Sequence, residues 1–380
     1  MHIAVVTHNI VSGDGQGRVN LALVRYLLRK GVNVTLIADT IDEDLLLEGC
    51  NWVPVQPKPL ADAIDLIKVV GFRLLANRVL DRIGDRFDAV FACGVVLSRP
   101  HTLNAVHFAH GGWLRSPYHP AKNGLDLNAA YQWLFSALND RWERATLRQA
   151  QRVVAVSSMV KDELVESGLS ADTIDVIVNG VDLEAFHPGQ AMRKPLGLPV
   201  EVPLALFVGD IRSPIKNPDG LVRALARVPT LHIAFVGSKE RSPLPALAAQ
   251  TGVASRVHFL GFRRDIPDLM RAADFFVLPS RRDSCPLVLL EALASGLPAV
   301  VSRRVGTYDL VKSGECGVVI EDPEDSSALA NALELLTQNA DMRDKMAPKA
   351  RAVAKRHSWD KMALQYYDLL RDISEIEPVR

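Results

Sequence analysis

Two carboxylates, Asp283 and Glu291, stand eight positions apart in the segment PSRRDSCPLVLLEALASGLPAV. Asp283 lies a few residues after an apolar run, and Pro286 is a natural first residue for the helix that carries Glu291. Eight residues is a little over two helical turns, so both acids can address one ligand. Paired carboxylates accept hydrogen bonds from hydroxyls, as on ribose and hexose rings. Glu291 lies among Leu289, Leu290, Leu293 and Ala294, and a carboxylate in such surroundings needs a partner. An ion pair with Arg281 or Arg282 would satisfy it as well as a bound hydroxyl.

Two cations form a second constellation, Arg212 and Lys216 in FVGDIRSPIKNPDG. They fall between an apolar run that ends at Gly209 and a helix that opens near Asn217-Pro218. A helix amino terminus attracts anions through its free N–H groups and its dipole. A forked guanidinium and a point-charge ammonium beside it make a diphosphate site. Two solvated surface cations would fit the same spacing. Gly13, Gly15 and Gly17 follow the first apolar run. They read either as a tight turn or as a loop that lets backbone approach a ligand. The spacing is not G-x-G-x-x-G, because position 18 is Arg. His107 and His110 follow a further apolar run in NAVHFAHGGWLRSP, where a histidine can be structural or can reach a ligand.

These groups need rigid elements to hold them. Short apolar runs predict strands at 2–7, 34–38, 87–91, 103–106, 152–156 and 174–178, with helices at 18–30, 126–150 and up to 167. Residues 188–202 are rich in Pro and Gly and lack periodicity, as a linker does. Strands restart at 204–208, 232–236, 257–260, 275–278 and 299–301, with helices at 286–295 and 326–337 between them. A last amphipathic helix at 358–373 has no strand after it. Alternating strands and helices predict two doubly wound, Rossmann-like α/β domains, whose strand carboxyl ends face each other across a cleft. The expected division is 1–187, a linker at 188–202, 203–357, and 358–380 as a helix crossing back to the first domain.

The chain has 380 residues, 48% of them apolar and 23% charged, enough for two cores. Its 44 basic and 44 acidic residues balance, which argues against nucleic acid as a partner. Cys50, Cys93, Cys285 and Cys316 form no CxxC pair, so neither a disulfide framework nor a zinc site is expected. Asp42-Glu43-Asp44 reads as an acidic loop or helix start, not a metal site. With no signal peptide pattern at MHIAVVTHNI and no long apolar run, a cytoplasmic protein is expected. The segment 62–86 carries Lys68, Arg73, Arg78, Arg82 and Arg86 among Ile64, Ile67, Val70, Leu74, Val79 and Ile83. Such a helix can lie on the inner face of an anionic membrane, or pack in a core with a solvated basic face.

The chain resembles the family 4 retaining glycosyltransferases of GT-B fold. Their hallmark is two acids separated by seven residues, followed by E-A-x-A-x-G-x-P, which here runs from Glu291 through Ala292, Ala294 and Gly296 to Pro298. GDIRSPIKN, VHFLGF at 257–262, NGVDLEAFHP at 179–188 and HSWDKMALQYYDLL near the end are similar as well. The resemblance implies transfer of a hexosyl-type sugar, with retention and without a metal or other cofactor, from a UDP- or GDP-sugar. The acceptor would be a glycan, a lipid-linked glycan or a small molecule, as in polysaccharide biosynthesis. It implies that Glu291 binds the ribose, Asp283 the sugar hydroxyls, and Arg212 and Lys216 the diphosphate. Gly15, Gly17, Gly209, Gly237 and Leu287 would line the donor, Phe262 would meet its base, and His110 would orient groups beside the reacting sugar. The first acid is Asp283 where the family has Glu, and Cys285-Pro286 replaces Phe-Gly. Pro286 has no N–H to offer the sugar. An NAD-dependent oxidoreductase, using Asp39 as its ribose acid, a sugar-nucleotide epimerase and a non-catalytic nucleotide-sugar binder are the competing readings.

Overall fold

A computed structural model describes residues 1–57, 65–124 and 126–376. Contacts divide the chain into two units, Met1–Gly180 with Trp359–Arg380, and Val181–Ser358. The division therefore falls after Gly180, ahead of the expected boundary at 187. The stretch 188–202 is irregular but fastened into the second unit. Arg193 donates to Ala272 O (2.8 Å) and Val202 O (2.6 Å) and pairs with Asp274 (3.0 Å).

In the first unit the strands are β1 (His2–Ile10), β2 (Asn33–Ile41), β3 (Asn51–Pro54), β4 (Ala89–Cys93), β5 (His101–Val106), β6 (Ala150–Ala155) and β7 (Ile174–Val176). They form one parallel sheet in the order β3-β2-β1-β4-β5-β6-β7. The second unit has β8 (Leu204–Val208), β9 (His232–Val236), β10 (Val257–Gly261), β11 (Phe275–Leu278), β12 (Ala299–Ser302) and β13 (Gly317–Ile320). These are also parallel, in the order β10-β9-β8-β11-β12-β13. Every residue of β4, β5, β11 and β12 is buried. That is why β4 and β11 read as unbroken apolar runs: helices cover both faces of a parallel sheet. The strand order reverses between β1 and β4, and again between β8 and β11. A crevice opens at the carboxyl ends of the strands at each reversal.

The helices depart from expectation where caps and proline decide. The first begins at Gly15, not Arg18, because Asp14 caps it and accepts from Gly17 N (2.5 Å). The sixth-strand helix predicted to 150 ends at Leu147, since β6 already starts at Ala150. Ala340–Lys355 is a helix despite an interior Pro348. Within the segment 62–86, residues 62–64 lie outside the described residues, and Asp65–Ile83 is helical. Its Phe72, Ala76 and Leu80 are buried against Val6, Ile37 and Ala92, so that apolar face belongs to the core. Trp359–Ile376 joins the first unit, with Tyr366 edge-on to Phe91 (5.7 Å) and Asp360 paired to Arg29 (2.5 Å). Among the described residues no helix is long and apolar enough to cross a membrane.

Candidate active site

In the second unit the candidate residues gather at the β8/β11 reversal. Gly209 follows β8 and Gly237 follows β9, and a Cβ on Gly237 would stand 2.1 Å from Gly209 O. Gly237 also has φ 157°. Only glycine permits this close crossing of two strand ends, which leaves the floor of the crevice as bare backbone. The chain then runs through Arg212 to the single turn Pro214–Lys216. Asn217, in the left-handed region at φ 56°, stops that turn and caps the helix Pro218–Leu225. Its Oδ1 accepts from Gly220 N (3.1 Å) and its Nδ2 donates to Pro323 O (2.7 Å), so the cationic loop is fixed at its far end.

Lys216 Nζ donates to Asp283 Oδ2, an ion pair that joins the loop after β8 to the loop after β11. Asp283 is 13% exposed and is pinned through its backbone as well. Its N–H donates to Arg304 O (3.0 Å), and Gly306 N–H donates to its carbonyl (2.7 Å). Glu291 is buried on the helix Leu287–Ala294, which Pro286 precedes. Leu287 is the first residue of that helix. Arg281, on the loop after β11, pairs with Asp219 (2.8 Å) and Glu324 (2.5 Å). Arg212 is half exposed and held by Asp210 through both carboxylate oxygens (2.9 and 3.1 Å). That guanidinium keeps the Asp210 carboxyl below the usual range. Phe262 is 80% exposed and follows Gly261, which sits at φ 70°. Its neighbour Arg263 pairs with Asp265.

In the first unit the glycine turn is not a loose loop. Gly15 and Gly17 belong to the first helical turn, and a Cβ on Gly17 would meet Val11 O at 2.6 Å. Asp42 accepts from Ser12 N (3.1 Å), and Asp44 begins a short helix, so the acidic triplet is a loop clasp and helix start. Asp39 pairs with Lys68 (3.4 Å). His110 starts the helix His110–Arg115, its N–H donating to Glu143 (3.1 Å) and its ring edge-on to Phe108 and Phe135. His107 Nε2 is buried without a hydrogen-bond partner, and burial pulls its pKa down to about 4. Cys50, Cys93, Cys285 and Cys316 are all buried.

Three further residues at these strand ends were not among the site residues expected from the sequence. His8 lies near the end of β1 against Phe72 (4.1 Å), lowered to about 4 by burial and then by Lys68. Asp210 and Asn217 were visible only as neighbours of the cations. The dipeptide Asn-Pro is the one local hint, since Asn tolerates the left-handed region and Pro opens a helix.

Both halves of the chain match known families. Residues 13–185 match the model described as Glycosyltransferase Family 4, and residues 189–353 match Glycosyl transferases group 1. A D-inositol 3-phosphate glycosyltransferase of Xylanimonas cellulosilytica is 34% identical over 255 residues, 63% of this chain and 61% of that protein. The chain spans between about half and three fifths of the length of such relatives. Among solved structures, a sucrose-phosphate synthase from Thermosynechococcus elongatus shares the fold with TM-score 0.80 at 21% identity, covering 99% of this chain and 100% of that one. Anabaena HepE in complex with UDP gives 0.75 at 23% identity, covering 98% and 100%. The oxidoreductase reading finds no support in any of these. With both sheets of the GT-B arrangement present and both halves matched in chain order, the chain belongs to glycosyltransferase family 4.

Proposed function

We propose that the chain transfers a hexosyl-type sugar from a nucleoside diphosphate sugar to an acceptor hydroxyl, with retention of anomeric configuration and no metal. The ion pair between Lys216 and Asp283 carries this reading. It sets a phosphate-binding cation against a hydroxyl-binding acid at the β8/β11 reversal, where a sugar diphosphate needs both. Glu291, two turns along the next helix, would accept from the ribose hydroxyls. Phe262 offers an exposed ring for the base. Arg212 would exchange Asp210 for the diphosphate, and Lys216 would share itself between Asp283 and the phosphate nearest the sugar.

In the reaction the bond from the anomeric carbon to the phosphate oxygen breaks, and the acceptor oxygen bonds that carbon on the same face. The acceptor proton goes to the departing phosphate oxygen. Arg212 and Lys216 stabilise the charge that develops there. Gly209 and Gly237 leave room for the diphosphate backbone, and Leu287 lies at the sugar end of its helix. Gly15 and Gly17, on the acceptor-side domain, would let backbone approach the donor, and His110 would be a positioning group beside the reacting sugar. Phe72, Ala76 and Leu80 are taken up by the core, so peripheral contact of Asp65–Ile83 with a membrane would rest on its basic residues and on the exposed Ile67 and Leu74.

Incubation with a panel of UDP- and GDP-sugars should release nucleoside diphosphate slowly from one donor, unchanged by EDTA. NMR of the product should show the anomer of the donor. Release that EDTA abolishes and Mg²⁺ or Mn²⁺ restores, or an inverted product, overturns the metal-free retaining mechanism. No turnover with any donor, and thermal stabilisation by NAD in place of UDP or GDP, overturns the transferase.

A further inference from the structure

A cavity of about 660 Å³ opens in the second unit at the amino ends of β11 and β12, the opposite end of these strands from Lys216 and Asp283. Ala273 and Asp274, just before β11, and Pro298, just before β12, line it. One wall is a single face of the helix Ala340–Lys355, where Arg343, Ala347, Arg351 and Lys355 recur every four residues.

Two guanidiniums on this wall are held by carbonyl oxygens. Arg343 donates to Leu336 O (2.5 Å) and Thr337 O (3.2 Å). Arg351 donates to Phe186 O (2.6 Å), Ala294 O (2.8 Å) and Leu183 O (3.1 Å). Carbonyl oxygens fix the direction of these guanidiniums but supply no countercharge, and burial draws Arg351 below its ordinary pKa. Arg271 has a countercharge in Asp268 (2.5 Å), yet its Nη1 is buried without a hydrogen-bond partner. Of the two lining carboxylates, Asp274 is already paired with Arg193 (3.0 Å) and Asp344 is exposed. Pro188 and Leu297, with Ala347 on the helix wall, add compact apolar surface.

We propose that this cavity binds a small phosphate monoester, the phosphate held by Arg351 and Lys355 and the organic body against Pro188 and Leu297. Arg351 and Lys355 are one turn apart, about 6 Å along the helix axis, close enough to grip one dianionic head from two sides. The volume lies within the usual range for small-molecule sites. Neither the ligand class nor the position depends on how the donor is bound. The site does lie behind the donor helix, because Arg351 holds Ala294 O at its end and Ser295, which lines the cavity, donates to Glu291 O (3.0 Å).

The test is isothermal titration of D-glucose 6-phosphate into the full chain saturated with UDP, with D-glucose as the uncharged control. One site should bind the phosphate ester and not the free sugar. Lys355→Glu, an exposed position, should weaken it about tenfold or more. Lys216→Ala, which alters the donor loop, should leave that affinity unchanged. Absence of binding by both glucose 6-phosphate and inorganic phosphate overturns the proposal. So does unchanged affinity in Lys355→Glu, or a loss confined to Lys216→Ala, which would place the ester in the donor loop.

Discussion

Glu291 is a buried carboxylate on an apolar helix, and its proposed work is to accept from ribose hydroxyls. Glu291→Gln keeps the volume and one acceptor oxygen but removes the charge. A hydrogen bond to a charged group is worth about 1.5–3 kcal/mol, so the dissociation constant for the nucleoside diphosphate should rise about 10- to 150-fold. The melting temperature of the ligand-free protein should stay the same, and the variant should no longer distinguish a deoxyribose nucleotide from the ribonucleotide. A fall in melting temperature with unchanged affinity would mean that Glu291 is a structural ion. His8 and His107 make a prediction about pH. Both are lowered to about 4, so the folded chain holds fewer protons than the unfolded chain between that pH and the ordinary 6.5. Their contribution to stability is complete above about 6.5 and is lost as pH falls toward 4, by about 1.4 kcal/mol per pH unit for each. Urea midpoints measured across this range should fall with pH in the parent chain and fall less steeply in His8→Gln and His107→Gln. Parallel profiles would show that neither histidine is held neutral by burial.

At the scale of elements, the strand ends are shaped by glycines with different reasons to exist. Gly237→Ala puts a Cβ 2.1 Å from the carbonyl of Gly209, at a φ that a side chain disfavours. It should both lower the melting temperature and abolish nucleotide binding, because β8 and β9 must part to admit it. Gly13 has nothing within 4 Å of a built Cβ, so Gly13→Ala should leave stability unaltered. Equal melting temperatures for the two variants would contradict this account of the crevice floor. At the turn after β1, Asp14 rather than glycine content starts the helix. Asp14→Ala should cost about 1 kcal/mol in chemical denaturation, the usual worth of a helix cap.

At the scale of the molecule, the last helix completes the first unit although it follows the second in sequence. Met362, Ala363, Tyr366 and Leu370 are buried, and Tyr366 lies against Phe91 of β4. Leu370→Ala should destabilise the protein by about 2–5 kcal/mol. Hydrogen exchange should register the loss in β1 and β4, with β8 and β11 protected as before. Uniform loss over both sheets would mean that the two units unfold as one.

What the sequence by itself determined follows from local rules. Buried parallel strands are short apolar runs, helices between them have amphipathic period, and Gly209, Asn217-Pro218 and Pro286 punctuate their joins. From these the two doubly wound sheets, the acids at 283 and 291 and the cations at 212 and 216 were legible before any coordinates. The edge strands β3 and β13 were not: the ends of NWVP are exposed, three of the four residues of GVVI are only partly buried, and neither has the full burial of the central strands. The helix Ala340–Lys355 was hidden by Pro348, whose cost is offset only by the packing of that helix on its neighbours. Tertiary structure alone decided the pairings: Lys216 with Asp283, Arg212 with Asp210, Arg281 with Asp219 and Glu324, and Arg193 stapling the irregular stretch 188–202. Ionic partners leave no periodic trace. Parallel strands bring together loops that lie tens of residues apart, and charge chooses its partner by distance in space, not along the chain.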